Sequence, residues 1–331
     1  MKTLILKALM MVWLMPAFSS YVCADEIQRG SEMDVKTMGE AMASAFLKPL
    51  PQPFEKTPED YGMRYRDVEF KTRDGLTLRG WLVGEDADKV VIMTHFGYRA
   101  NRYGYQLKHQ PADSKPYDKE IEFGKVAKRL VDAGYAVLMY DLRNHGESDK
   151  TELGVGTGGD NERFDVIAAV EYVANESATA GKPIGLLSYC YGANTSFFAM
   201  EEDQSVFKNA GVKAMVALQP LSNGDYLKSL GVSDAVYQAA EKSYRARSGG
   251  YPLVAPIERA AKSTVVPTRL VQARQDPNTN FSFIAELYKN MPVKKEMFWL
   301  EEPTHRFDGY NWFAEHPRDM LDWFDMHMAA R

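Results

Sequence analysis

The sequence predicts an α/β fold, a mostly parallel, doubly wound sheet with helices on both faces. Two observations carry that expectation. Short, nearly all-apolar runs of strand length recur along the chain, as strands buried on both faces require. Between them lie longer segments whose apolar residues repeat at helical spacing. Strands alternating with helices in this way give parallel neighbours joined by crossovers.

In chain order, residues 67–72 and 76–83 are rich in strand formers and flank Asp74-Gly75, which reads as a β-hairpin. Residues 90–93 form the first buried strand. Phe123, Val126, Ala127, Leu130 and Val131 share one helical face, Gly134 ends that helix, and residues 136–140 are the next strand. Val166, Ala169, Val170, Val173 and Ala174 form a second helical stripe before a strand at 183–188. Further strands are expected at 214–218, 268–272 and 296–300, then a last helix carrying Leu321, Phe324 and Met328. Two segments break the alternation, 104–119 and 221–264. Both are candidate caps over the carboxyl ends of the strands, where such sheets collect their chemistry. The second, with a helix near 233–246, is the expected lid.

Lys2 and Lys7 precede an apolar stretch at 8–18, and Val22-Cys23-Ala24 precedes Asp25. That pattern reads as a secretory signal peptide over residues 1–24, too short and too broken by Pro16 to span a bilayer comfortably. The expectation is therefore export, periplasmic or secreted, with no integral membrane span after cleavage. Residues 25–66, with weak helical character at 34–47 and then Pro49, Pro51, Pro53 and Pro58, read as an arm without an assigned function. The main domain covers 67–331. Cleavage after Ala24 removes one of the two cysteines in the chain and leaves Cys190 as a lone thiol, unusual where cysteines are normally paired.

Composition narrows the partners. A formal charge of −5 offers no basic stripe for phosphates, which argues against nucleic acid. No metal-ligand spacing is present, and one Cys with scattered His residues does not make a zinc site. Neither a metal nor a cofactor is expected.

Chemistry concentrates in the segment Ser188-Tyr189-Cys190-Tyr191-Gly192, where a strand gives way to a helix. A nucleophile on so sharp a turn needs small residues two before and two after it. Centred on Cys190 those residues are Ser188 and Gly192; centred on Ser188 they are Leu186 and Cys190, a poorer fit. A helix starting after Cys190 aims backbone N–H groups at the sulfur and favours the thiolate. By itself the pentapeptide fits a buried structural cysteine equally well. Spacing downstream favours the catalytic reading: Asp276 follows one strand and His305 follows the last, giving the order nucleophile, acid, histidine. His305 would then take the thiol proton, while Asp276 fixes its tautomer and stabilises its charged form.

These motifs, with Thr94-His95-Phe96-Gly97 and Asp141-Leu142-Arg143-Asn144-His145-Gly146-Glu147-Ser148, resemble the α/β-hydrolase superfamily from about Asp67 onward. The cysteine at the elbow makes the chain similar to dienelactone hydrolases and to acyl-transferring relatives. The resemblance implies an oxyanion hole from the Tyr191 amide and a second donor, Phe96 or Gly97, because Phe96 separates His95 from the glycine. His95 and His145 belong to the scaffold motifs. The expected activity is hydrolysis of an ester, thioester or lactone in a small-molecule acyl substrate, through an acyl-thioester. Acyl transfer by the same triad, or ligand binding without turnover, are the alternatives. Arg99 and Arg102, after the oxyanion loop, are candidates for holding a substrate carboxylate, and Arg274 and Arg306 stand similarly beside the acid and the base.

Overall fold

The computed structural model describes residues 34–49, 52–110 and 117–329. The expected signal peptide lies outside the described residues. In chain order the structure runs α1 (Val35–Ala45), β1 (Tyr65–Lys71), β2 (Thr77–Val83), β3 (Lys89–Thr94), the short β4 (Gly104–Tyr105) and β5 (Ile121–Glu122), α2 (Phe123–Asp132), β6 (Tyr135–Tyr140), α3 (Arg163–Asn175), β7 (Ile184–Tyr189), α4 (Tyr191–Glu202), α5 (Gln204–Asn209) and β8 (Val212–Leu218). It continues through α6 (Asn223–Ser229), α7 (Asp234–Ser248), α8 (Ile257–Ala260), β9 (Thr268–Ala273), α9 (Phe281–Asn290), β10 (Lys295–Leu300), α10 (Arg306–Glu315) and α11 (Arg318–Met328).

Eight strands form one sheet in the order β1-β2-β6-β3-β7-β8-β9-β10. The hairpin pairs β1 with β2 antiparallel, and β2 joins β6 antiparallel. From β6 to β10 every pair is parallel. This is the fold class the alternating pattern predicts. Successive strand side chains point to opposite faces, so Val90 and Ile92 of β3 join one core with Val166, Val170 and Phe197. Val91 and Met93 join the other core, with Phe123, Leu130 and Phe324. At about 25 cal/mol per Å² of apolar surface, two such layers supply the main stabilisation of the sheet.

The cap differs from expectation in its membership. The expected lid helix is α7, started by Ser233, whose hydroxyl accepts from the Val236 amide at 3.4 Å, and stopped by left-handed Gly249 (φ 83°). Its apolar face is covered by α1, from the arm to which the sequence assigned no role. Met42, Ala43, Phe46 and Leu47 pack with Val236, Ala240 and Tyr244 in a third core. Gly39 permits the close crossing: a Cβ there would meet the Cβ of Ala239 at 2.5 Å. The other candidate cap, 104–119, begins with β4, which pairs with β5 just beyond its end, and its Tyr117 stacks on His305.

Candidate active site

Strand β7 delivers Cys190 onto the turn before α4 with φ 46° and ψ −102°. A non-glycine residue in that region is strained, by about 1–3 kcal/mol, and such strain is retained where the surroundings hold it. Here the Cys190 amide donates to the Leu218 carbonyl at 2.7 Å and its carbonyl accepts from Asn194 at 3.0 Å. The need for small neighbours is visible. A Cβ on Gly192 would lie 2.5 Å from the Thr94 carbonyl oxygen. Ser188 is fully buried, with its hydroxyl 2.8 Å from that of Ser196. Cys190 is half-exposed and lines a largely apolar cavity with Phe96, Tyr191, Tyr226, His305 and Tyr310.

Phe96 and Gly97 reach that cavity on the loop after β3. Among the described residues, neither of their amides donates a hydrogen bond, and the Tyr191 amide, at the first position of α4, has no partner within the helix. Gly97 is required by close approach, since a Cβ there would lie 2.9 Å from the Tyr191 ring. Two buried histidines hold this loop. His95 Nδ1 donates to the Phe96 carbonyl at 2.6 Å while its Nε2 accepts from the Leu142 amide at 3.0 Å. His145 Nδ1 donates to the Arg143 carbonyl at 2.8 Å and its Nε2 accepts from Tyr98 at 3.1 Å. Both rings must be neutral to make these bonds.

Burial pushes His95 down to about 4 and His145 to about 3. An unfolded histidine binds its proton near 6.5, so between these values the unfolded chain carries more protons. Their contribution is complete above about pH 6.5 and is lost as the pH falls through the folded values. We expect denaturant-measured stability to drop by a few kcal/mol between pH 7 and pH 4, with a shallower slope in His145→Gln.

His305 follows β10 and caps α10, its Nδ1 accepting from the Phe307 amide at 3.2 Å. Its ring lies nearly parallel to Tyr117, centroids 4.7 Å apart and planes 8° apart. The Tyr117 hydroxyl is tied to Asp308. Burial lowers the pKa of His305, and the charge of Asp276 opposes that shift. Asp276 lies behind the cavity, buried. Its carboxylate accepts from the Asn278 amide at 3.2 Å and Thr279 Oγ1 at 3.3 Å, with Arg306 Nη2 3.7 Å away. Thus Cys190 and His305 share one cavity, whereas among the described residues no hydrogen bond joins His305 to Asp276.

Of the two arginines proposed for a substrate carboxylate, Arg102 is corrected. Its guanidinium is buried, bonded to Asp141 at 2.5 Å and to Glu147, and packed against the adjoining Phe54 and Trp81 rings at 4.2 and 4.4 Å. With its charge paired inside the scaffold, it does not line the cavity. Arg99 does line the cavity, with Nη1 donating to Gln110 at 3.1 Å. Arg274 is paired with Glu301 at 2.8 Å over the Trp299 ring, outside the cavity lining. Arg306 is buried at the cavity wall: Nη2 donates to the Gln219 carbonyl at 3.1 Å and Nε to the Tyr310 hydroxyl at 3.1 Å. Sequence reasoning missed Ala45, Phe46, Tyr226, Asn278 and Tyr310 in the lining. For Tyr310 a signal existed, because it stands one helical turn beyond Arg306. No group of three or more His, Cys, Asp or Glu side chains able to hold a metal occurs among the described residues. Nor is any described helix long and apolar enough to cross a membrane.

A model of the alpha/beta hydrolase fold family matches residues 116–308, more than half of the chain. The chain belongs to the α/β-hydrolase family. In sequence this hydrolase is similar to the polyketide transferase grgF of Penicillium sp, 29% identical over 164 residues, or 47% of this chain and 45% of that one. The match therefore spans less than half the length of that curated relative. Among solved structures, the hydrolase is similar to the esterase Pf2001 of Pyrococcus furiosus, with a TM-score of 0.64 and 23% identity over 86% of this chain and 99% of that one. It is also similar to a dienelactone hydrolase from Anabaena variabilis, with a TM-score of 0.52 and 15% identity over 80% of this chain and 99% of the other. At these identities the structural likenesses establish the shared fold.

Proposed function

We propose that this α/β hydrolase cleaves an ester, thioester or lactone through a covalent acyl-thioester on Cys190, in a triad with His305 and Asp276. The observation that carries the reading is the placement of Cys190. It occupies the strained turn ahead of α4 and opens into the same cavity as His305, while the competing hydroxyl of Ser188 is buried against Ser196. The resemblance of the fold to an esterase and a dienelactone hydrolase supports the bond class.

The Cys190 thiolate attacks the substrate carbonyl carbon, forming a C–S bond as the carbonyl π pair moves to oxygen. The Tyr191 amide, with Phe96 or Gly97, receives that oxyanion, and each such donor is typically worth ~3 kcal/mol. Collapse breaks the bond to the leaving group, which takes its proton from the His305 imidazolium. Water, deprotonated by His305, then attacks the thioester, and the acid leaves as the thiolate re-forms. An imidazolium carries a proton on both nitrogens, so His305 must give up the Phe307 amide and turn Nδ1–H toward Asp276. Arg99 remains a candidate for a substrate carboxylate. Residues 1–24, as a signal peptide, would place the enzyme in the periplasm or outside the cell.

The similarity to a polyketide transferase favours a second reading, in which an amine or alcohol replaces water. The test is acid-quench mass spectrometry during turnover of a p-nitrophenyl ester. The expected result is an acyl mass on the peptide containing Cys190, and an adduct on any other residue would refute the assignment. Products formed with added acceptors distinguish hydrolysis from transfer.

A further inference from the structure

A buried guanidinium demands compensation, because desolvating a cation costs several kcal/mol unless negative or dipolar groups face it. Arg306 is buried and faces a loose ion pair, Asp276 at 3.7 Å, and the Gln219 carbonyl at 3.1 Å. Its Nε donates to the Tyr310 hydroxyl at 3.1 Å. A phenol that accepts from a cation has its own hydrogen left to give, and that hydrogen becomes a stronger donor. Cys190 is also a charged neighbour of the Tyr310 phenol and helps to raise its pKa, with no hydrogen bond between the two in this structure. Both residues, with Arg306, line the cavity.

We propose that Tyr310 is a further catalytic residue, donating a hydrogen bond to the Cys190 thiolate, and that Arg306 is the positioning residue that polarises it. The inference rests on Cys190 being the nucleophile. The donor is held in advance. Its ring is stacked on Phe96 at 4.8 Å and 25°, and meets Tyr189 edge-on at 5.9 Å. Gln219 also holds the Arg306 backbone, its Nε2 donating to the Arg306 carbonyl at 2.8 Å. Burial keeps the phenol protonated, with its pKa well above the ordinary value, so it serves as a donor and not as a base. The charged and titratable groups lining the cavity with the sulfur are Tyr98, Arg99, Tyr191, Tyr226, His305, Arg306 and Tyr310, and Asp276 pairs loosely with Arg306. Tyr310 and Arg306 would then give the sulfur a hydrogen-bond donor on the cavity wall in addition to His305.

The test uses the full chain and iodoacetamide, with alkylation of Cys190 followed by peptide mass spectrometry from pH 5 to 9. In Tyr310→Phe, which removes one oxygen and keeps the ring stacking, the rate at pH 6.5 should fall roughly tenfold or more, the effect of losing a hydrogen bond to a charged group. The rate–pH curve should move to higher pH with its alkaline plateau unchanged, which a merely structural role would not produce. Arg306→Gln should move the curve in the same direction, and Arg306→Lys, which retains the charge, should restore part of the shift. A Tyr310→Phe curve superimposed on a reactive wild type would overturn this inference and leave the Cys190 nucleophile standing. A wild-type thiol no faster than a free cysteine would overturn both.

Discussion

Cys190→Ala should lower turnover of any ester substrate by about 10⁴-fold or more, with no loss of folded protein. The size follows from removing the atom that forms the covalent intermediate; nucleophile deletions in triad enzymes cost on the order of 10⁶-fold. The retained fold follows from the turn. Its strain at φ 46° is a property of any residue bearing a Cβ, so alanine adds nothing to it, and the sulfur sits at a cavity wall. Steady-state assays beside a thermal melt check both halves. Undiminished activity in that variant would remove Cys190 from the mechanism.

The largest expected effect on stability lies in the Asp141–Ser148 turn. Arg143 is fully buried, with Nε on the Asp165 carboxylate at 2.7 Å and Nη1 on Asp74 at 2.6 Å. Asp165 is buried as well, and also accepts from the Arg143 amide at 2.7 Å. Burial pushes its pKa up, and the charge of Arg143 and its hydrogen bonds oppose that shift. Arg143→Met leaves a desolvated carboxylate without its cation, a change that typically costs about 3–5 kcal/mol. Urea denaturation should show that loss, and the double variant with Asp165→Asn should recover part of it, because the buried charge is then gone. A single variant as stable as the wild type would mean that the pair contributes nothing.

Much of the scaffold was legible because its signals are local. Val90–Met93 is apolar throughout since β3 is central in the sheet and has helices on both faces. The elbow was legible because Gly192 has a steric reason readable from spacing alone. The cap was not. Phe46 enters the cavity wall only because α1 folds back across α7, and nothing in the proline-rich arm encodes that distant contact. Arg99 and Arg102 looked equivalent three residues apart in an irregular loop. Left-handed Tyr98 (φ 59°) and the buried Asp141 carboxylate send one guanidinium to the cavity and the other into the scaffold. The order Cys190, Asp276, His305 brought the first and last to one cavity, but the side-chain detail depends on neighbours. Asp276 is held by Thr279 and faced by Arg306, and His305 Nδ1 by the helix it caps.

The central claim is that His305 activates the Cys190 thiol, and the most direct measurement is the alkylation rate of Cys190 by iodoacetamide as a function of pH in the wild type and in His305→Ala. The account predicts rapid alkylation below neutral pH in the wild type, slowed about tenfold or more in the variant. A wild-type thiol that reacts no faster than free cysteine, with a rate indifferent to His305, would contradict it.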